Sequence, residues 1–254
     1  MYILINAMSI SYHIRPFKDI SDHEQCEQAQ SIIWNDPLYT PSNFTVTLQR
    51  HGGIALGAFT PEGKMLGFVL SFLSPAHIPA NGPRAAQGLS QHSQMAGVMP
   101  EVQGMGIGEA LKKAQAEATL ALGQNLMTWT YDPLEARNAW LNLNKLGVIV
   151  RKYIPNCYGD MRDGLNRGLP SDRFEPEWWL TPETRAYFNE ANASTKMEIE
   201  ISPHFQALKK ADRAAALALR LRTRDQFMQA FADGYVAVRL ERTSHRTAYV
   251  LIKV

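Results

Sequence analysis

Cysteine is scarce: Cys26 and Cys157 are the only two, far apart, with no Cys-x-x-Cys pair and no Cys/His cluster. They frame neither a disulfide scaffold nor a zinc site, so two free thiols and no metal are expected. An excess of charge of one sign is also missing. Lysine and arginine number 26 against 24 aspartates and glutamates, a formal net charge of +2. That balance gives no reason to expect nucleic acid or an anionic membrane as a partner. Long hydrophobic runs are absent too. The apolar start, residues 1–8 (MYILINAM), is too short for a bilayer and has no basic stretch or cleavage site. A cytoplasmic location is the default expectation. What remains is a chain of 254 residues, 45% apolar and 20% charged, the profile of a soluble globular protein with a sizeable core.

Hydrophobic periodicity and turn residues divide the chain. Residues 11–17 read as a strand and 19–34 as a helix, with Ser21 and Glu24 resembling a capping box. Residues 36–42 form a loop around Pro37 and Pro41. The apolar runs 53–60 and 64–73, joined by Pro61-Glu62-Gly63, read as a hairpin. Three prolines and two glycines in residues 74–90 predict a long irregular connection of the kind that often serves function. Residues 91–99 read as a strand. Residues 106–122 read as a helix with Ile107, Leu111, Ala114, Ala118 and Leu122 on one face, stopped by Gly123. A strand at 125–131, a helix at 137–146 closed by Gly147, a strand at 148–154 and a loop at 155–173 come next, with a short strand at 177–180. The pattern then restarts with a short helix at 182–191, a strand at 196–201, one long helix over 205–232, and a hairpin from 234–240 and 247–253. The mixture argues α+β. Its division is a core over 1–181 and a C-terminal αββ extension over 182–254.

The informative stretch is Met95–Leu111, MAGVMPEVQGMGIGEAL. A strand enters Pro100-Glu101, then a glycine-rich turn, then an amphipathic helix. Gly104, Gly106 and Gly108 remove side chains where backbone must approach a ligand closely. The amides of the turn and the free N–H groups of the helix's first turn form an anion cradle, to which the helix dipole adds positive charge. A diphosphate is the natural occupant. A P-loop would end in Gly-Lys-Ser/Thr, whereas this turn ends Gly108-Glu109-Ala110. A dinucleotide fingerprint would need a third glycine where Glu109 stands.

What fits is Q-x-x-G-x-G, with Gln103, Gly106 and Gly108. This pattern, in its strand–turn–helix setting, resembles the acetyl-CoA loop of the GNAT superfamily of N-acetyltransferases. The similarity runs over about residues 11–181 and is strongest in 93–159. The runs WTYDPLEARNAWLNLNKLG, YIPNCYGDMRDGLN and LPSDRFEPEW resemble a branch of GNAT proteins with no defined substrate. The resemblance implies a GNAT acyl-CoA N-acyltransferase fold, a mixed central sheet flanked by helices, and acetyl-CoA or another acyl-CoA as co-substrate. It implies cofactor contacts from Val98, Met99, Gln103, Gly104, Met105, Gly106, Ile107 and Gly108, and from Asn138 to the pantetheine arm. One departure is Met105, where the superfamily commonly has a basic residue. Lys112 and Lys113 could compensate for the lost charge.

In the implied chemistry an amine attacks the thioester directly. The protein must bring the reactants together, stabilise the oxyanion through an amide near Val98 or Met99, and move protons. Candidates for proton transfer are Glu101, beside the loop; His92, heading its strand; Asp132, at the end of the neighbouring strand; and Tyr158. Tyr153 and Tyr158 both stand where GNAT enzymes often carry a tyrosine that protonates the leaving thiolate, and Tyr158 is favoured because Asn156 and Gly159 flank it. Each has a plainer reading: a solvated carboxylate, a structural histidine, a turn-starting Asp-Pro and a packing tyrosine. Trp34 and Trp129 are core or rim residues, with an acyl or acceptor pocket as the other possibility. The arginines of the last helix, Arg213, Arg220, Arg222 and Arg224, read as a solvated face. The expected acceptor is an amine on a small molecule, and a homodimer is left open. Two alternatives remain: a catalytically silent acyl-CoA-binding module, and acetylation of a protein or peptide, which would need an open cleft instead of one closed by residues 74–90.

Overall fold

The computed structural model describes residues 10–35, 40–81, 84–161, 167–244 and 246–254. The apolar start at 1–8 and Pro37 lie outside the described residues. The chain divides into two compact units, one up to Met127 without residues 81–84 and one from Thr128 onward with them. Among the described residues, no helix is long and apolar enough to cross a membrane, and no group of three or more His, Cys, Asp or Glu is placed to hold a metal.

The first unit runs β1 (His13–Pro16), α1 (Ile20–Trp34), α2 (Ser42–Arg50), β2 (Ile54–Phe59), β3 (Met65–Asn81), β4 (Arg84–Val98), α3 (Ile107–Ala121) and β5 (Leu126–Thr128). Its strands lie in the order β1-β2-β3-β4-β5, with β1 and β3 both antiparallel to β2. Pro16 is tolerated because β1 is an edge strand. The core gathers Tyr12 from just before β1, Ile14, Phe59 and Phe68 from the strands, and Ile107 and Leu111 from α3. Asp19, and not Ser21, caps α1: its carboxylate accepts from the Ser21 amide at 3.0 Å and the Ser21 hydroxyl at 2.7 Å. Helix α2 escaped the sequence reading because its segment, SNFTVTLQR, mixes β-branched and polar residues. It is fixed from inside, where His23 Nδ1 and Thr45 Oγ1 meet at 2.8 Å, both buried.

The expected irregular connection at 74–90 is instead strand, β3 continuing to Asn81 and β4 beginning at Arg84. The β2 pairing ends at Ser71, opposite Ile54. Beyond it, Pro75 can place its missing amide on the unpaired side of β3. Ser90 Oγ donates to the Ser74 carbonyl at 3.2 Å.

The second unit runs α4 (Ala136–Ala139), widening into a π-helical stretch over Trp140–Leu146, then β6 (Ile149–Ile154), β7 (Arg173–Trp179), α5 (Pro182–Tyr187), β8 (Thr195–Ile201), α6 (Phe205–Ala211), α7 (Arg213–Ala232), β9 (Val236–Arg242) and β10 (Thr247–Lys253). Its strands lie in the order β7-β6-β9-β10-β8, so the C-terminal strands extend a sheet begun by β6 and β7. The widened turn lets Asn144 hydrogen-bond both backbone groups of Leu240 on β9, each at 3.0 Å. The expected helix over 205–232 is two helices. Asp212 leaves the helical region (φ −148°) and accepts from the Ala215 amide, capping α7. The core centres on Phe174, with the Phe227, Tyr249, Tyr153 and Tyr131 rings 4.8, 5.4, 5.6 and 5.7 Å away, each nearly edge-on.

Candidate functional site

In the first unit, β4 ends where the Met99 amide donates to the Leu66 carbonyl at 2.9 Å. A single 3-10 turn over Pro100–Val102 comes next. The exposed Gln103 side chain reaches back to donate to the Val98 carbonyl at 3.1 Å, fastening the turn to the strand end. Gly104 and Gly106 then adopt φ of +86° and +82°, the left-handed region that costs glycine least. Gly106 is the N-cap of α3 and supplies no side chain to it. The first amide to find a helical partner is Ala110, which donates to the Gly106 carbonyl at 3.0 Å. Among the described residues, no acceptor is found for the amides from Gly104 to Glu109. A Cβ placed on Gly106 would meet nothing within 4 Å, and one on Gly108 only Val98 Cγ2 at 3.6 Å. A row of amides without a protein acceptor thus stands at the positive end of a helix of 15 residues, beside the open space at Gly106.

The surrounding charges add little. Met105 is partly buried against the core. Lys112 turns inward, with Nζ 2.9 Å from both Ser93 Oγ and Gln115 Oε1, and burial lowers its pKa to about 7. Lys113 pairs with Glu109 at 2.6 Å on the surface. The suggestion that these two lysines replace a basic residue at position 105 is therefore corrected. Attraction for an anion here comes from backbone dipoles.

In the second unit, Tyr158 is 48% exposed. Its hydroxyl lies 2.6 Å from Thr130 Oγ1, and the Arg173 guanidinium sits 5.4 Å from its ring centroid. Asp132 is committed elsewhere. Its two oxygens take a bidentate pair from Arg220 at 2.7 and 2.6 Å, and Oδ1 also accepts from the Leu134 amide at 2.8 Å. Arg224 makes the equivalent pair with buried Asp172 at 2.9 and 2.8 Å. The reading of these α7 arginines as a solvated face is thus corrected: Arg220 is 2% exposed and both anchor α7 inward. Asn138 is exposed on α4. We expect Asp132→Asn to lower stability by about 2 kcal/mol, the scale of a lost charge-assisted hydrogen bond to a buried cation, as read by urea denaturation. A variant as stable as the parent would show that the pair is dispensable.

No family model matches the sequence, and no curated protein matches it. Solved structures do. NAA60 of Arabidopsis thaliana in complex with acetyl-CoA is 15% identical, with a TM-score of 0.52 over 66% of this chain and 99% of that one. The same protein with a bisubstrate analogue has a TM-score of 0.53 over 67% and 99%. Chaetomium thermophilum Naa20 with a bisubstrate analogue is 15% identical, with a TM-score of 0.50 over 70% and 90%. The chain has the GNAT acetyltransferase fold.

Within this GNAT fold the predicted residues fare differently. Gln103 to Gly106 form the turn, and Ile107 and Gly108 open α3 directly after it. Of the two positions suggested to supply an oxyanion donor, the Met99 amide is already engaged by Leu66. Glu101 is exposed, 3.5 Å from Lys64. His92 is half-buried, its ring 5.2 Å from that of Phe72. Asp132 has both oxygens held by Arg220, which leaves it poorly placed to act as a base. Trp34 packs edge-on against Phe68 at 5.9 Å, and Trp129 against Trp178 at 6.0 Å. Sequence reading missed Thr130 and Arg173, and it offered Lys112 as a charge for the anion without showing that Lys112 is buried. The burial of Lys112 was the missing part: it lies three residues before Gln115 and seven before Thr119, on the side of α3 that those two buried residues mark.

Proposed function

We propose that this chain is an acyl-CoA-dependent N-acyltransferase that acetylates an amine of a small molecule. One observation supports this most: the unpartnered amides of Gly104–Glu109 around a bare, open turn, which suit a diphosphate ester. Acetyl-CoA would supply an activated thioester acyl group. Val98 and Gln103–Gly108 would hold its pyrophosphate end, and Asn138 its pantetheine arm. Glu101 and His92 are the candidates left to take the amine's proton, and Tyr158 to return one to sulfur. Residues 1–181 would form the acyl-CoA-binding core, with 182–254 extending it, in a cytoplasmic protein. Neighbours in complex with acetyl-CoA or bisubstrate analogues favour turnover over a silent binding module.

The test is incubation with acetyl-CoA and a panel of amines while free thiol is monitored. Sustained, amine-dependent thiol release is the expected result. Tight acetyl-CoA binding without turnover across small amines, amino acids and peptides would overturn the enzymatic reading in favour of the silent module. Turnover restricted to peptides would overturn the small-molecule acceptor alone.

A further inference from the structure

Tyr158 is more firmly built in than a half-exposed tyrosine needs to be. Its amide donates to Ser171 Oγ at 2.9 Å, and the Cys157 amide to the Ser171 carbonyl at 3.0 Å. Ser171 Oγ donates onward to the Gly159 carbonyl at 2.8 Å. The Asn156 amide donates to Asp172 Oδ1 at 2.9 Å. The turn is thus tied to the start of β7 on both sides of the tyrosine. At the tip, the phenolic oxygen has Thr130 Oγ1 at 2.6 Å. The cation over the ring is fixed too. Arg173 is 6% exposed, and it donates to the Asp172 carbonyl at 2.9 Å with a further contact to Asp132 at 3.9 Å.

We propose that Thr130 is a positioning residue for Tyr158, donating its hydroxyl hydrogen to the phenolic oxygen while Arg173 places positive charge over the ring. This rests on the acyltransferase reading for its role but not for its test. In that reaction the acceptor nitrogen forms a bond to the acyl carbon. The carbon–sulfur bond breaks with its electron pair on sulfur, and the Tyr158 proton passes to that sulfur. The phenolate left behind is the species that a hydroxyl donor and a guanidinium stabilise. The proton released by the amine returns to the phenolate through solvent, so the phenol is restored each cycle.

The readout is the rate at which tetranitromethane, a phenolate-selective reagent, nitrates Tyr158 in the free protein, measured residue by residue by mass spectrometry. Thr130→Val, which keeps the shape and removes the hydroxyl, is expected to slow nitration of Tyr158 by roughly fivefold, the equivalent of one ordinary hydrogen bond. Thr130→Ser is expected to restore it, and the other tyrosines report on overall folding. Thr130→Ala serves if the valine variant folds poorly. Nitration unchanged or faster in the hydroxyl-free variant overturns the proposal. If amine-dependent turnover is found, Thr130→Val should lower kcat with an unchanged KM for acetyl-CoA, and an unaltered kcat also overturns it. If the parent shows no turnover but the nitration difference holds, the enzymatic reading falls and the pairing of Thr130 with Tyr158 stands.

Discussion

Gly106→Asp is expected to weaken acetyl-CoA binding by at least ~100-fold, about 2.7 kcal/mol, while leaving the fold intact. Three effects act together. The new carboxylate stands in front of the amides that would meet the pyrophosphate, so like charges replace a charge–dipole attraction. The added atoms occupy space in which a Cβ meets nothing within 4 Å. The backbone must also hold a side chain at φ +82°, which aspartate tolerates better than most residues but not freely. Because no protein atom is displaced, the thermal midpoint should move by only a few degrees, and the two consequences separate cleanly. Gly106→Ala provides the control: it adds the Cβ and the strain without the charge, and should fall between parent and Asp. Titration calorimetry with acetyl-CoA decides. Affinity in Gly106→Asp within a few-fold of the parent would mean that the ligand is held elsewhere, and the proposed function would lose its main support.

That turn was legible in the sequence because its chemistry is local. Glycines that free a backbone, a helix that begins without a side-chain cap, and a strand feeding in from Val98 all arise from adjacent residues. The fold class was legible for the same reason, from periodicity in α1, α3 and the hairpin strands. What escaped depends on partners far away in the chain. Pro75 and Pro79 read as breakers because the sequence does not show that β3 outruns β2 at Ser71. The helix over 205–232 read as continuous because its helix-forming residues outweigh one aspartate, yet Asp212 ends α6 and caps α7. Arg220 and Arg224 read as solvated because their carboxylates, Asp132 and Asp172, lie 88 and 52 residues away in the chain. Asp132 read as a candidate base for the same reason. Local sequence shows a carboxylate beside a proline at a strand end, and only the fold brings Arg220 to it.

Lys112 is the other place where an inward partner decides the outcome, and it yields the second large effect. An amine 5% exposed on α3 is held by Ser93 Oγ and Gln115 Oε1, each at 2.9 Å. Burial brings its pKa from 10.5 to about 7. In the unfolded chain the amine binds its proton below 10.5, whereas in the folded chain it does so only below about 7. Between those values the unfolded state carries a proton that the folded state lacks. Stability from this group is therefore fully present above the upper value, falls as pH drops through the window, and is level again below the lower one. Lys112→Met, which keeps length and helix propensity, removes that penalty. Ser93 Oγ and Gln115 Oε1 remain satisfied by each other at 3.0 Å. We expect the variant to be more stable than the parent by about 4 kcal/mol near neutral pH, an upper-end figure set by the width of the window. The advantage should shrink steadily toward pH ~10. Because both proteins share every other titrating group, including the buried Cys26 thiol that burial pushes up to about 12, those groups cancel in the difference. Urea denaturation of the pair at several pH values measures it. A gap that stays constant across the window would show that Lys112 keeps its proton in the folded state, held by the hydroxyl and amide oxygens around it.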